Sequence, residues 1–520
     1  MNDNTKKHQD SYLQKMGRQA GIAMHITSLP GPHGIGDIAD CATAFLDQLV
    51  EMDLGVWQIL PSGPTAYGDS PYQPLSAFAG NPMFIGLDPL VRAGLLKRSE
   101  LAPLEALPHD RVDYGNLIPI KQALLNTAAE RFADNPAADM SRGFDEFQQR
   151  HGERWLDDYA MFRVLKMQHG ERPWPEWDSA FVHREAAALE KLKQDNRADI
   201  KKIKIIQFLF DHQWSKLMAR AQDRGICLFG DMPIYIALDS SDAWAHPQRL
   251  LLNEDGQPSC VAGVPPDYFS EDGQLWGNPI YDWEYHKQTG YRWWIERIQH
   301  ATRQTPLVRI DHFRGFESYW SVPYGAATAR DGQWEIGPGD GLFDAMQGVM
   351  GNLPIVAEDL GVITPAVDQL RENHNLPGMV VLQFEVGNPD FDINMIEENS
   401  VCYTGTHDND TTLGWFIGNG DDTRSEEEIH TQQTNALRQT GGTADTIAND
   451  MIRLAFSSRA TLAVAPMQDY LGLGSNARLN TPGTTQNNWC WRALAGQLNA
   501  DLTVSVHKLV REANRSSRAQ

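Results

Sequence analysis

Eight short apolar runs of strand length recur along this chain, and most of the intervals between them are long enough to hold a helix. Continuous apolar runs of this kind are typical of strands buried on both faces, and helix-length intervals favour parallel βα units. The runs lie at residues 21–26, 56–61, 226–231, 307–311, 355–358, 379–384, 401–404 and 462–466. The sequence therefore predicts the α/β class and, within it, a (β/α)8 barrel.

The intervals are unequal, so we expect one catalytic barrel over residues 1–520 with large insertions. The interval before the third run far exceeds the roughly 30 residues of one repeat. Aromatic residues at helical spacing predict a mainly helical insertion at 89–200, and Gly, Pro and aromatic content predicts a loop-rich insertion over the active site at 246–300. A further excursion is expected at 410–455. About 50 residues follow the eighth run, too few for a C-terminal β-sandwich of about 100.

Composition limits the candidate partners. Lys and Arg total 45 against 68 Asp and Glu, and the resulting net charge of -23 repels nucleic acid but not a neutral ligand. Five scattered cysteines without a C-x-x-C pair predict reduced thiols in the cytoplasm. Residues 1–20 contain no signal-like apolar run, and no stretch reaches the roughly 18 apolar residues of a membrane span. We expect no nucleic-acid or membrane partner, and the oligomeric state is left open.

Four of the apolar runs end in acidic segments, at residues 230–233, 309–315, 357–361 and 405–410. The C-terminal ends of barrel strands are where catalytic groups gather, so these segments predict an active site. Arg309 and Asp311 are two residues apart and share one face of a strand. A guanidinium within reach is expected to lower the pKa of Asp311 and keep it ionised, as a nucleophile requires. The alternative is a purely structural ion pair.

Glu358 follows the next run and is expected to be partly buried without a cation beside it, hence protonated near neutrality as a general acid requires. Adjacent parallel strands roughly 4.8 Å apart can hold two carboxyl groups at the spacing of about 5 to 5.5 Å that retaining glycosidases use. A glutamate at this place can equally be structural. His407 and Asp408 offer a donor and an acceptor suited to vicinal sugar hydroxyls.

Signals for metals and cofactors are weak. Asp408, Asn409 and Asp410 could supply oxygen ligands, but the stretch lacks the Gly and distal Glu of a calcium loop. The chain carries no P-loop, no G-x-S-x-G elbow, no H-E-x-x-H and no dinucleotide fingerprint after its first strand. We therefore expect no metal and no cofactor.

Taken together, the segments resemble the amylomaltase family of 4-α-glucanotransferases, also called disproportionating enzymes, which are distant relatives of the α-amylases. The resemblance covers nearly the whole chain, and the ordered set is far more specific than any one segment. The segments are ITSLP at 26–30, GIGD at 34–37, GDSPYQ at 68–73, GDMPIY at 230–235, VPPDYF at 264–269, RIDHFRGF at 309–316, EDLG at 358–361, THDN at 406–409, NTPGT at 480–484 and NWCWR at 488–492.

The resemblance implies roles for individual residues. Asp311 would be the nucleophile, Glu358 the acid/base and Asp408 the stabiliser of the transition state. The residues implied to contact the sugar beside the scissile bond are Asp231, Arg309, His312 and His407. Those implied in neighbouring subsites or further glucan contacts are Asp69, Ser70, Tyr72, Tyr268, Phe269, Trp276, Asn278, Asn480 and Pro482.

The predicted function is transfer of α-1,4-glucan segments between a malto-oligosaccharide donor and acceptor, through a covalent glucosyl-Asp intermediate and with retained configuration. The nearest alternative is an α-1,4-glucan hydrolase with the same three carboxylates, since the ratio of transfer to hydrolysis depends on loop geometry. The second alternative is a glucan-binding protein without activity.

Overall fold

The structure is a computed structural model that describes residues 10–266, 271–419 and 424–516. Its strands within these ranges are β1 (Gln19–Ala23), β2 (Val56–Gln58), β3 (Cys227–Pro233), β4 (Cys260–Val264), β5 (Gln274–Pro279), β6 (Leu307–Asp311), β7 (Ser318–Pro323), β8 (Gln333–Ile336), β9 (Ile355–Ala357), β10 (Gly378–Val381), β11 (Ser400–Tyr403) and β12 (Leu462–Pro466). The α-helices are α1 (Tyr12–Met16), α2 (Asp40–Glu51), α3 (Leu87–Arg92), α4 (Tyr114–Asp134), α5 (Ala138–His151), α6 (Asp157–Gln168), α7 (Ser179–Val182), α8 (Ala186–Asp195), α9 (Arg197–Asp223), α10 (Ser241–Ala245), α11 (Trp283–Gln288), α12 (Arg292–Gln304), α13 (Asp340–Met350), α14 (Pro365–Asn373), α15 (Leu382–Glu385), α16 (Thr412–Ile417), α17 (Glu426–Thr440), α18 (Ile447–Ser457), α19 (Met467–Tyr470) and α20 (Ala500–Glu512).

Eight strands form one parallel sheet in the order β10-β11-β12-β1-β2-β3-β6-β9. At its two ends, the Ala357 amide donates to the Pro377 carbonyl (2.8 Å) and the Met379 amide donates to the Asp359 carboxylate (2.7 Å). These bonds join β9 to β10 and complete the barrel. Each strand of this sheet overlaps one of the eight predicted runs, so the predicted (β/α)8 fold is confirmed.

The continuous apolar character of the barrel strands has a direct structural cause. Successive side chains point to opposite faces, so Val56 and Phe229 fill the barrel interior while Trp57 and Leu228 pack against the helices. At the N-terminal end of the strands, Leu13 of α1 joins the interior cluster and is almost fully buried. The C-terminal mouth is thus the end at which a site can form.

Helices α3 to α9 occupy the chain between β2 and β3. The long helix α9 packs against α4, α6 and α2. The rings of Phe132, Phe144 and Phe147 all lie within 5.9 Å of the Phe208 ring, so the aromatics that repeat at helical spacing form the core of this region. None of the described helices combines the length and apolar character that a membrane span requires.

A second sheet lies outside the barrel and was not predicted. Its four strands are antiparallel in the order β5-β4-β7-β8. The segments escaped prediction because β5 contains Gly277 and Pro279, which weaken a strand pattern, and because β8 is largely exposed. The sheet has a functional consequence, since β5 carries Trp276 and Asn278.

Candidate active site

The acidic segments meet at the C-terminal mouth of the barrel. β6 pairs with β3 on one side and with β9 on the other, and Ile310 lies beside Ala357 in the second pair. The residues that follow, Asp311 and Glu358, therefore leave neighbouring parallel strands at the same level. This is the juxtaposition on which the sequence-based hypothesis of a carboxylate pair depends.

Arg309 joins two carboxylates of the mouth. Its Nη2 donates to Asp231 (2.7 Å) and to Asp311 (3.0 Å), and its Nε donates to Asp231 (3.0 Å). The side chains of Arg309 and Asp231 are only 4% and 0% exposed, so water does not screen this pair. Burial alone would lower the pKa of Arg309, but Asp231, Tyr72 and Asp311 raise it well above its ordinary value. The guanidinium therefore stays charged.

Burial raises the pKa of Asp311 to about 6, and Arg309 offsets only part of this effect. The expectation that Arg309 would hold the pKa of Asp311 below its ordinary value is wrong. Burial is the main reason, and the contacts add to it, because Arg309 makes two hydrogen bonds to Asp231 and only one to Asp311. The negative charge of Asp231 also raises the pKa of Asp311.

Glu358 faces two main-chain donors. The His312 amide donates to Oε2 (2.6 Å), and the Leu360 amide donates to Oε1 (3.0 Å). His312 presents its amide from a left-handed conformation (φ 56°), which a residue with a side chain adopts only when its surroundings require it. Burial, and after it the charge of Asp311, raise the pKa of Glu358 to about 7, as expected of a carboxyl group that holds a proton near neutrality.

Asp408 is held from two sides. Asn480 Nδ2 donates to Oδ1 (2.6 Å), and His407 Nε2 lies 3.3 Å from Oδ2. Arg478 Nη2 also donates to the main-chain oxygen of Asp408 (2.6 Å) and Arg478 Nε to that of Asn480 (2.8 Å), so one guanidinium links the two segments. Burial would raise the pKa of Asp408, but His407 and Asn480 hold it well below its ordinary value. This carboxylate remains ionised where Asp311 and Glu358 titrate.

Three aromatic rings meet beside these carboxylates. Tyr72 stacks on His407 with ring centroids 5.2 Å apart and planes 15° apart, and Trp489 lies 5.9 Å from both rings. The Tyr72 hydroxyl donates to Asp231 (2.7 Å) and accepts from Arg309 Nη2 (3.1 Å). Tyr72 thereby connects the ion pair on β3 and β6 to the segment that bears Asp408.

The second sheet supplies the rim. Trp276 packs edge-on against the His312 ring, with centroids 4.8 Å apart. Asn278 is buried, and its amide donates to the Ile236 carbonyl (3.0 Å) and accepts from Gln73 (2.9 Å). Its side chain is thus occupied by protein groups in this structure.

The other predicted residues lie on flanking loops. The Ser70 hydroxyl accepts from the Tyr72 amide (3.3 Å), and Asp69 lies close enough to Cys490 for its charge to raise the pKa of that thiol beyond the effect of burial. Pro482 is exposed. Tyr268 and Phe269 lie outside the described residues.

Sequence reasoning missed three residues that organise the mouth, namely Gln73, Arg478 and Trp489. Gln73 and Trp489 stand inside the segments 68–73 and 488–492, so those motifs were the signal that could have found them. Arg478 precedes the segment 480–484 and lies in no motif, and only the fold brings it to Asp408.

A pocket at the mouth of the barrel is lined by His407 and Arg309. The buried side chains of Gln58 and Tyr403 line it. The Asp410 oxygens accept hydrogen bonds from the Thr411 amide (2.8 Å) and the Ser475 hydroxyl (2.7 Å). Within the described residues, no group of three or more His, Cys, Asp or Glu is arranged to hold a metal ion.

Comparisons with known proteins show the family of this chain and agree with its fold. The sequence model of the family described as 4-alpha-glucanotransferase matches residues 24–497. A 4-alpha-glucanotransferase of Synechocystis sp. is 47% identical over 93% of this chain and 95% of its own length. One from Thermus thermophilus is 44% identical over 94% and 97%. The solved structure of amylomaltase from Streptococcus agalactiae in complex with acarbose superposes with a TM-score of 0.91 at 36% identity, covering 96% of this chain and 100% of that one.

Proposed function

The chain belongs to the 4-α-glucanotransferase family, as the sequence predicted, and from that premise we propose how its barrel mouth moves α-1,4-glucan segments between malto-oligosaccharides. The proposed reaction is a retaining double displacement on Asp311, Glu358 and Asp408. One observation carries it: Asp311 and Glu358 leave neighbouring strands with pKa values of about 6 and about 7, so one is ionised while the other still holds a proton.

In the first step, Glu358 gives its proton to the glycosidic oxygen while an Asp311 oxygen attacks the anomeric carbon. The carbon–oxygen bond to the leaving sugar breaks, and a β-linked glucosyl ester forms on Asp311. The reducing-end fragment departs with the proton on its 4-hydroxyl. Arg309 orients Asp311 through their 3.0 Å hydrogen bond.

In the second step, the 4-hydroxyl of an acceptor glucan loses its proton to Glu358 and attacks the ester, and Asp311 departs as a carboxylate. The negative charge of Asp311 contributes to the raised pKa of Glu358. Ester formation removes that charge, so the pKa of Glu358 falls when Glu358 must act as a base. Two inversions at the same carbon leave the α configuration intact.

Asp408 is proposed to stabilise the oxocarbenium-like transition state. Its pKa, held low by His407 and Asn480, keeps a negative charge beside the ring through both steps. Asp231, Arg309, His312 and His407 are proposed contacts of the same sugar.

Neighbouring subsites are proposed at residues of the surrounding loops and of β5. Transfer requires that an acceptor sugar outcompete water, which rim groups achieve by orienting the sugar and excluding solvent. The proposed subsite residues are Asp69, Ser70, Tyr72, Tyr268, Phe269, Trp276, Asn278, Asn480 and Pro482.

The pH dependence of kcat/KM is expected to be bell-shaped. The reactive form has Asp311 ionised and Glu358 protonated, so kcat/KM should fall below about pH 6 as Asp311 gains a proton. It should also fall above about pH 7 as Glu358 loses its proton. Initial rates with maltotriose at constant ionic strength, from acidic to alkaline pH, will measure both limbs. A single limb, or a flat profile across neutrality, would contradict the assignment.

Incubation of the purified protein with maltotriose tests transfer against hydrolysis. We expect glucose together with a ladder of glucans longer than the substrate, without a net gain of reducing ends. Products that are all shorter than maltotriose, with one new reducing end for each bond cut, would establish a hydrolase instead. No change in the substrate would favour a binding protein without activity.

We further propose that the whole chain acts as one catalytic barrel with insertions at 89–200, 246–300 and 410–455, and that it works in the cytoplasm. The five cysteines support the latter, because all are free, as is usual for proteins of a reducing compartment.

A further inference from the structure

Trp489 is a buried aromatic residue that the proposed chemistry does not use. It is 5% exposed, and its ring lies 5.9 Å from both members of the Tyr72–His407 stack. Trp489 also has a left-handed backbone (φ 62°), as does Asn487 (φ 61°) two residues before it. A bulky residue in this region is a true outlier, and such backbone strain persists only where the surroundings impose it.

The surroundings of Trp489 lead to the catalytic carboxylates. Its amide donates to the Leu479 carbonyl (2.7 Å), and its carbonyl accepts from the Tyr114 hydroxyl (3.0 Å). Leu479 lies between Arg478 and Asn480, the two residues that hold Asp408. The segment 478–489 therefore forms hydrogen bonds to Asp408 near its start and packs against the Tyr72–His407 stack at its last residue.

Both rings of the Tyr72–His407 stack contact carboxylates of the site, so a side chain packed beside the stack affects these contacts. His407 Nε2 lies 3.3 Å from Asp408, whereas the Tyr72 hydroxyl lies 2.7 Å from Asp231. The Trp489 ring, which packs beside the stack, thus restrains both the His407–Asp408 and the Tyr72–Asp231 contact. Leu60, Leu479 and Trp489 form one small buried cluster with Tyr72 and Tyr114 packed against it, so the Trp489 ring has little freedom to move.

We propose that Trp489 is a positioning residue, which holds His407 against Asp408 and Tyr72 against the Asp231–Arg309 pair without touching the substrate. This inference rests on the mechanism proposed above. If the Trp489 ring is removed, His407 and Tyr72 gain space, and the geometry around Asp408 loosens. Misplacement by about 1 Å at a catalytic centre can cost about 100-fold in rate.

Trp489→Leu tests the proposal, with Trp177→Leu as the matched control. Trp177 is equally buried at 5% and also stacks on a histidine, His169, with centroids 5.3 Å apart, but in a separate cluster of the helical region. Both variants should lose thermal stability to a similar degree. Only Trp489→Leu should lower kcat, by about 10- to 100-fold. Trp489→Phe, which restores a ring, should recover most of this loss.

The acid limb of the pH profile supplies a readout that a merely structural role would not move. His407 lowers the pKa of Asp311, so a displaced His407 should shift the acid limb of Trp489→Leu to higher pH and leave that of Trp177→Leu in place. A Trp489→Leu protein that loses stability while its kcat and acid limb match those of Trp177→Leu would overturn the proposal.

Tyr114→Phe keeps the test decisive if Trp489→Leu does not fold. It removes only the hydroxyl that holds the Trp489 carbonyl and should shift the acid limb in the same direction by a smaller amount. An unchanged acid limb would overturn the proposal. Asp311→Asn in the same assay distinguishes failure of the positioning role from failure of the mechanism. If Asp311→Asn is inactive while the Trp489 variants match Trp177→Leu, only the positioning role of Trp489 fails. If Asp311→Asn is active, the proposed mechanism fails as well.

Discussion

Replacement of Asp311 with Asn is expected to lower kcat for the disproportionation of maltotriose by at least about 10⁴-fold. An amide cannot form the glucosyl ester, while binding and the charge of Asp408 remain. The fold should persist, because Asn has the same shape and its oxygen can still accept the 3.0 Å hydrogen bond from Arg309. KM should change much less than kcat. Rates at high enzyme concentration, with thermal unfolding as the check of folding, will measure the effect.

An external nucleophile, azide, provides a second test of the nucleophile role of Asp311. In Asp311→Gly, an azide ion can occupy the space of the lost carboxylate and attack the anomeric carbon while Glu358 protonates the leaving oxygen. A single inversion then yields a β-glycosyl azide. Asp359→Asn is the matched control, because the Asp359 carboxylate is bound by the Met379 amide and Arg371 and has no role in the proposed chemistry. This variant should form no β-glycosyl azide. An α-configured azide product, or an Asp311→Asn enzyme with kcat near that of the wild type, would remove Asp311 from the nucleophile role.

The barrel could be predicted because its strands are short, apolar on both faces and separated by helices. Each strand can therefore be recognised from its own short stretch of sequence. The same holds for Asp311 and Glu358, which directly follow such runs. The second sheet could not be predicted in this way. Its strands contain Gly277 and Pro279 or lie exposed, and their pairing joins segments that are distant in sequence.

The electrostatics of the mouth show a different limit of sequence reasoning. A spacing of two residues correctly places Arg309 on the same face as Asp311, and the two side chains do form a hydrogen bond. The spacing does not reveal that Asp231, from another strand, accepts two hydrogen bonds from the Arg309 guanidinium, whereas Asp311 accepts one. Nor does it give the extent of burial, which raises the pKa of Asp311 to about 6. Both depend on contacts between strands.

Arg478 and Trp489 illustrate the same limit on the far side of the mouth. Neither follows a strand, and neither is of a type that signals catalysis by itself. Their importance comes from partners 70 or more residues away in the chain, because Arg478 bonds to the Asp408 carbonyl and Trp489 packs on His407 and Tyr72. Local pattern carries no information about such contacts, and a motif can only mark the segment in which they occur.

Replacement of Glu358 with Gln is expected to lower kcat for maltotriose by about 10² to 10⁴-fold, the usual range for loss of a general acid–base group. Gln has the right size but only one acceptor oxygen. It can therefore accept from the His312 amide or the Leu360 amide, and the other amide then faces an NH2 group. A modest loss of stability should accompany the loss of rate, and Glu358→Ala provides a second variant without this conflict.

A donor with a good leaving group separates the two roles of Glu358. With α-maltotriosyl fluoride the first step needs no protonation, so Glu358→Gln should form the ester on Asp311 at a measurable rate. The second step still lacks its base, and the ester should accumulate. Intact-protein mass should then rise by one maltotriosyl group, and peptide mapping should locate it on Asp311. Azide, which needs no base, should release an α-glycosyl azide. If the label maps to another residue, or if the fluoride is used no faster than maltotriose, Glu358 is not the acid/base of this pair.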